Sequence, residues 1–459
     1  MPSSAPPMLT DTIVALATPP GRSAVALIRL SGRDALAVAG RVLRPFAPGP
    51  ARTARRARAV APFSGETLDD VLYTVYPAPG SYTGDDLVEI GTHGGLLVPA
   101  EVLGALLAAG ARPALPGEFT RRAMLNGKVD LLQAEGIADL VDATAPAQRR
   151  AALGQLDRGL SQRIGALREQ VLALEALISY DIDFPEEDSG PVPAERVDRA
   201  IEGLRAALLG LLRTAAEGER LREGALVVIA GRPNVGKSSL FNALLGSERA
   251  IVTEIPGTTR DAIEASAVCD GFPFRLVDTA GLRESGDRVE RLGVEVSRRY
   301  LAAADIVLLC AEAGRELDGE ERRFRVELGE RLILAWTKAD AAGDAGGRAA
   351  AEPDGEVAVS AVSGAGLAEL RATLARVAFT TLAQQGDVTP VVTRARHRAA
   401  LERALAEVEE FASARRAGLE AAVAGTHLRA AVGALEDVIG LVTTDDILDR
   451  VFSSFCVGK

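Results

Sequence analysis

Ala225-Leu-Val-Val-Ile-Ala230-Gly231-Arg-Pro-Asn-Val-Gly236-Lys237-Ser238-Ser239-Leu240 decides the architecture of the middle of this chain. Six apolar residues in a row predict a buried strand. The glycine-bounded loop that follows ends in Lys-Ser, and Ser238-Ser239-Leu240 opens a helix. This strand–loop–helix order aims backbone N–H groups and a helix N-terminus at a phosphate chain. Lys237 is expected to reach the β- and γ-phosphates and Ser238 to hold Mg²⁺. Asn234, Val235, Gly236 and Ser239 complete the expected nucleotide contacts.

Three further motifs follow in order, each at the end of an apolar run. Phe274-Arg-Leu-Val277 ends in Asp278-Thr279-Ala280-Gly281, whose carboxylate is expected in the Mg²⁺ shell. Arg331-Leu-Ile-Leu-Ala-Trp336 ends in Thr337-Lys338-Ala339-Asp340, whose Asp can accept both guanine N–H donors. Val357-Ala-Val359 ends in Ser360-Ala361-Val362, a backbone contact to the guanine oxygen. The block therefore reads as a GTPase. Asparagine is usual where Thr337 stands, which predicts weaker guanine affinity. A water-orienting glutamine is usual where Leu282 stands. Asn234 and the segment Thr253-Glu254-Ile255-Pro256-Gly257-Thr258-Thr259-Arg-Asp261 are the candidates to orient water and neutralise charge, with Thr259 completing the Mg²⁺ shell. Asn234 also reads as a plain turn residue tolerant of left-handed geometry.

Working outward, the fold class is α/β plus α. An N-terminal α+β domain spans 1–125. A discontinuous helical domain occupies 126–222 and 383–459. The P-loop GTPase (Ras-like) domain, 223–382, is inserted into it. Apolar runs at Thr12–Ala17, Ala24–Leu30, Val71–Tyr76 and Leu87–Ile90 predict strands, and a helix is expected over Leu97–Ala109. Long Ala/Leu/Arg/Glu-rich helices are expected from about Leu131 to Leu221 and from about Arg394 to Leu448, their halves packing together across the insertion.

Composition narrows the class. Apolar residues make up 47% and charged residues 25% of the 459, a globular profile. No apolar run is long enough to cross a bilayer, and Met1-Pro-Ser-Ser-Ala-Pro-Pro lacks the blocks of a signal peptide. A cytoplasmic protein without a membrane partner is expected. Cys269, Cys310 and Cys456 are too few and too scattered for a disulfide framework. Net charge is −11, which argues against a broad nucleic-acid-binding surface. One stretch runs the other way: Arg41, Arg44, Arg52, Arg55, Arg56 and Arg58 occur with no intervening acid. It reads either as an RNA-phosphate contact or as a solvated Arg-rich loop.

Only four of the 52 basic residues are lysines: Lys128, Lys237, Lys338 and Lys459. A lysine that survives such an arginine bias is expected where a compact ammonium is needed. Lys237 and Lys338 fall in the motifs above, which makes Lys128 and Lys459 candidates for chemistry.

The chain resembles the MnmE (TrmE) family of bacterial tRNA-modification GTPases over essentially its whole length. The resemblance is carried by Asp11-Thr-Ile-Val-Ala with Thr18-Pro-Pro-Gly-Arg22, Tyr82-Thr-Gly-Asp-Asp, His93-Gly-Gly, Pro116-Gly-Glu-Phe-Thr120, Ile182-Asp-Phe-Pro-Glu186, Gly257-Thr-Thr-Arg-Asp261 and the terminal Phe455-Cys456-Val457-Gly458-Lys459. It implies a tetrahydrofolate-binding, dimerising N-terminal domain. Folate contacts map to Arg29, Glu89, Lys128 and Lys459, and the folate is a 5,10-methylene or 5-formyl derivative. It implies K⁺-stimulated GTP hydrolysis through G-domain dimerisation, with K⁺ held by Asn234, Thr253, Ile255 and Thr258. The catalytic glutamate maps to Glu290. It also implies a homodimer, a heterotetramer with the FAD-dependent MnmG (GidA), and modification of C5 of the wobble uridine of certain tRNAs with an aminomethyl or carboxymethylaminomethyl group. Cys456 reads as a nucleophile or redox group, or as a buried structural cysteine. The alternatives to modification chemistry are a GTPase switch or assembly factor, and a dynamin-like module. An assembly factor usually carries a Gly-x-x-Gly RNA-binding appendage, and none follows the G block. Gly458 breaks the prenylation pattern, which needs two aliphatic residues after the Cys.

Overall fold

The computed structural model describes residues 11–183, 193–246, 264–278, 299–341, 355–385, 391–441 and 445–459. The chain forms two compact units, one made of its first 138 residues with Ile439–Lys459 and the other of Asp139–Val438.

The first unit is built on seven strands: β1 Ile13–Leu16, β2 Gly21–Ser31, β3 Leu43–Arg44, β4 Arg55–Val60, β5 Thr67–Tyr76, β6 Leu87–Gly95 and β7 Arg112–Pro113. They lie in the order β3-β4-β5-β6-β2-β1-β7. Alternation along the central strands turns Ile28, Leu30, Val88 and Ile90 to one face. That face packs on Val38 and Val42 of helix Ala35–Val42 and on Val102 and Leu106 of helix Leu97–Ala108. The other face carries Arg29, opposite Glu89, which is itself opposite Thr74. Two further helices, Glu118–Leu125 and the C-terminal Asp445–Ser453, also belong to this unit.

Only the middle of the arginine-rich stretch, 45–54 with Arg52, is a loop. Arg41 closes a helix, Arg44 lies in β3, and Arg55–Val60 is β4, whose Ala57 and Ala59 point into the core while Arg56 and Arg58 face out. Arg41 donates to Ala109 O and Arg52 to Gly80 O. Arg56 pairs with Asp70 at 3.1 Å. Folding thus occupies part of this positive charge.

The second unit holds a six-stranded sheet, β8 Ala225–Gly231, β9 Glu264–Cys269, β10 Phe272–Asp278, β11 Ile306–Glu312, β12 Leu332–Thr337 and β13 Glu356–Ala358, ordered β13-β12-β11-β8-β10-β9. All pairs are parallel except β9 with β10. A parallel sheet is covered on both faces, so its strands read as unbroken apolar runs. Val227, Ile229 and Leu308 pack against Leu240, Leu244, Leu370 and Leu374 on one side; Val228, Val277 and Val307 pack with Ala304 on the other. Around this block lie helices Pro146–Leu156, Gly159–Asp183, Ala194–Leu212 and Ala215–Glu223, with Ala395–Arg416 and Ala421–Ile439. Ala395–Arg416 lies against Ala194–Leu212, so helices from before and after the sheet pack together. Glu217 accepts from Thr381 N and Leu382 N, and Thr214 Oγ1 from Val392 N, where the chain leaves the sheet block.

Candidate functional site

Two clusters draw on the residues expected from sequence. The first lies at the carboxyl ends of the parallel strands, where open α/β sheets bind ligands. β8 ends at Gly231, with φ +140°. A Cβ there would lie 2.5 Å from Cys310 O, so the first loop glycine is required by its approach to β11. Asn234 and Gly236 both have positive φ, +61° and +103°. Left-handed steps of this kind turn successive N–H groups into one concavity. Lys237 is buried and its Nζ donates to Arg232 O at 2.6 Å, inside the same loop. Ser238 Oγ donates to Asp278 Oδ2 at 2.7 Å. A hydroxyl and a carboxylate this close form the hard-oxygen pair that suits Mg²⁺. Burial pushes the Cys310 thiol up to about 12, so it is an inert filler beneath the loop.

β12 delivers the base-reading motif to the same edge. Lys338 adopts φ +56° and its ammonium lies 3.3 Å from Glu312 Oε2. Asp340 is exposed in the 3₁₀ turn Ala339–Ala341. Ala339 N donates to Val359 O, which brings the turn beside Ser360–Val362. Ser360 is buried, its hydroxyl accepting from Ser363 N, while Val362 is exposed. Thr337 is buried and bonded to the P-loop rather than open to a ligand. Thr253, Glu254, Ile255, Pro256, Gly257, Thr258, Thr259, Thr279, Ala280, Gly281 and Glu290 lie outside the described residues.

The second cluster lies on the outer face of the first sheet. Arg29 Nε donates to Glu89 Oε1 at 2.9 Å. Tyr76 Oη donates to the other carboxylate oxygen at 3.3 Å. The Arg29 guanidinium sits 5.8 Å from the centre of the Tyr82 ring and donates to Gly458 O at 3.2 Å. Burial, then the Arg29 charge, lowers the Lys459 ammonium from its usual range. Burial and the Glu89 charge raise the Tyr76 phenol. Burial also raises Tyr82, against Thr120 and Arg29. Lys128 is exposed and donates to Pro79 O in the loop that leads to Tyr82. It does not join the Arg29–Glu89 contact. Tyr76 and Gly458 were not picked from sequence as site residues. Tyr76 carried a signal: it ends a strand whose Val71, Tyr73 and Val75 alternate inward.

Several of the motifs that carry the resemblance make packing and ion-pair contacts within the first unit. Gly117, φ +66°, leaves its missing Cβ 2.8 Å from Phe452 O. Glu118 and Asp11 share Arg112 and Arg122 in a four-residue ion cluster. Tyr82 Oη lies 2.8 Å from Thr120 Oγ1. Gly84 lies under Asn126, whose Nδ2 donates to Thr83 O. Cys456 is exposed, which removes the reading as a buried structural cysteine. Among the described residues no group of three His, Cys, Asp or Glu side chains is placed to hold a metal ion. No described helix is long and apolar enough to cross a membrane.

Comparison with known proteins gives concordant matches. The model described as "MnmE helical domain" matches residues 131–456, and "GTP-binding protein TrmE N-terminus" matches 12–128. A protein of Moorella thermoacetica is 43% identical over 98% of this chain and 100% of its own length. Its counterpart in Aquifex aeolicus is 42% identical over 98% and 100%. That of Halorhodospira halophila is 43% identical over 98% and 96%. All three are named tRNA modification GTPase MnmE.

Proposed function

The chain belongs to the MnmE family of tRNA modification GTPases, and from that premise we propose that it couples K⁺-stimulated GTP hydrolysis to folate-dependent modification of a tRNA wobble uridine. It binds GTP and hydrolyses it to GDP and phosphate in the course of tRNA modification. Lys237 reaches the β- and γ-phosphates, and Asp340 accepts the guanine N–H donors. Ser238, Asp278 and Thr259 would hold Mg²⁺, which neutralises charge on the phosphates when bound. Asn234, with carbonyls of Thr253, Ile255 and Thr258, would hold K⁺. Glu290 orients the attacking water.

The observation that carries the folate half is the second cluster. Arg29, Glu89 and the terminal Gly458-Lys459 come together from opposite ends of the sequence. The Glu89 carboxylate, oriented by Arg29, is the acceptor for pterin N–H donors. Lys459 and Lys128 offer ammonium groups to the ligand's carboxylates. The tetrahydrofolate derivative, 5,10-methylene or 5-formyl, supplies a one-carbon unit when bound.

The remaining parts of the proposal follow from the family. The N-terminal domain, 1–125, mediates a homodimer, and the inserted G domain is 223–382. The dimer works in the cytoplasm with the FAD-dependent MnmG in a heterotetramer. Together they transfer an aminomethyl or carboxymethylaminomethyl group to C5 of the uridine. The test is reconstitution: this chain, its FAD-dependent partner, GTP, 5,10-methylenetetrahydrofolate, glycine and unmodified tRNA. Mass analysis of the digested tRNA should find the C5-modified uridine. Its absence, with GTP hydrolysis intact, would refute the chemistry.

A further inference from the structure

Thr337 ends β12 where a base-reading loop usually has asparagine, and it is 4% exposed. Its Oγ1 lies 2.6 Å from Val235 O, in the P-loop, and 3.1 Å from Ala311 O on β11. A hydroxyl has one hydrogen to donate, and the shorter contact claims it. β-Branching restricts the side chain to few rotamers, so the hydroxyl is not readily turned outward. Gly236 lies so close that an added Cβ there would come within 3.8 Å of Thr337 Cβ. The opposite flank of the P-loop is held separately, by ion pairs from Arg232 to Asp318 and Glu321.

We infer that Thr337 is a positioning residue that straps the phosphate-binding loop to β12 and takes no part in reading the base. The P-loop is then held from two sides, by Thr337 at Val235 and by Arg232 at its start. Base discrimination falls to Asp340 and the Ser360–Val362 segment. Threonine at this position therefore supplies the strap and places no amide in the base pocket.

The inference rests on the guanine-nucleotide reading of this block. Binding of a fluorescent N-methylanthraniloyl-GDP by the unaltered chain checks that reading first; no saturable binding there would refute it. Competition is then measured with GTP, 7-deaza-GTP, which lacks the N7 acceptor, and 2-aminopurine riboside triphosphate, which lacks O6. Thr337→Val keeps the shape and removes the donor. It is expected to weaken all three by the same factor, about tenfold for one buried hydrogen bond. Thr337→Ser, which keeps the hydroxyl, should restore most of the loss. A loss that shrinks for either analogue would show a base contact and overturn the assignment. So would unchanged affinity in Thr337→Val. A Thr337→Val chain that melts below the assay temperature would also contradict it, since a strap on one loop leaves the sheet intact.

Discussion

Substituting Gly458 by alanine isolates the role of the C-terminus. Gly458 has φ +96°, a region that L-residues rarely adopt. An added Cβ would lie 2.8 Å from Leu16 O and 2.9 Å from Ala17 Cα. These are backbone atoms at the end of β1, which is paired to β2, so the tail must give way rather than the strand. A left-handed conformation costs an L-residue about 1–2 kcal/mol, before any steric overlap. Among the described residues two bonds hold the tail past Phe455 to the rest of the unit, Arg29 to Gly458 O and Gly117 N to Cys456 O. Each contributes about 1 kcal/mol, so the strain and the docking energy are of the same size. Phe452 and Phe455 stay packed with Leu131 and Leu448, which confines the change to the last residues. A strain of about 2 kcal/mol corresponds to about thirtyfold in docking. Calorimetric titration with 5-formyltetrahydrofolate should show at least a tenfold weaker Kd, while K⁺-stimulated GTP hydrolysis persists. Unchanged folate affinity would refute the view that the docked Gly458-Lys459 tail is part of the folate site. An equal fall in GTP turnover would refute its confinement to that site.

Four other outcomes are expected. Hydrolysis should run faster in KCl than in NaCl at equal ionic strength, and Asn234→Ala should erase most of the difference without loss of GTP binding; equal rates in the unaltered chain would end the potassium assignment. Glu290→Ala should lower kcat far more than GTP affinity, because a water-positioning group acts in the transition state; parallel losses would make the residue structural. Asp340→Asn should move preference from GTP toward xanthosine triphosphate in paired kinetic assays, and an unmoved preference would mean that this carboxylate does not read the base. The last concerns pH. Burial raises the Asp11 and Glu118 carboxyls, but hydrogen bonds and charge from Arg112 and Arg122 outweigh it and hold both below their ordinary values of 3.8 and 4.5. A folded-state pKa below the unfolded one gives stability that is full above the unfolded value and fades as pH falls through it. The Tm gap between the unaltered chain and Glu118→Gln should stay constant down to about pH 5 and narrow in more acid buffer; a gap independent of pH would show that the cluster stabilises by packing alone.

What the sequence revealed follows how far apart each site's parts lie. The P-loop is one contiguous stretch whose residues must follow each other to shape the cradle, so it is visible in a single line. Asp278, Asp340 and Ser360 are visible for a related reason: each follows an apolar run, and parallel strands deliver their carboxyl ends to one edge. β8, β10, β12 and β13 announced themselves as apolar runs ahead of their motifs, whereas β9 and β11 did not. Nor did β4. Its pattern Arg55-Arg-Ala-Arg-Ala-Val60 alternates inward alanine with outward arginine, and alanine is too small and weakly apolar to mark a period of two. Arg29 and Glu89 face each other only because β2 and β6 pair in one register, and register is a tertiary property. Residue chemistry alone would have left them as ordinary strand charges. Family resemblance singled them out; the fold explains why they meet.

The lysine bias bears a closer physical reading now that each ammonium has a place. Lys237 sends one N–H to a carbonyl within its own loop at 2.6 Å, in a space bounded by left-handed backbone. A planar guanidinium would need partners for five N–H groups there. Lys459 is half-buried beside the Arg29 guanidinium, where a second fork would compete for the same acceptors. In both places a compact charge is favoured on geometry. Lys128 differs. It is exposed on Pro79 O, and one residue along the same loop Arg52 performs the equivalent task on Gly80 O at 2.9 Å. The loop itself therefore accepts either cation. The loop carbonyl gives no reason for lysine over arginine at 128, whereas the carboxylate of the proposed folate ligand, met by a mobile point charge, would give one.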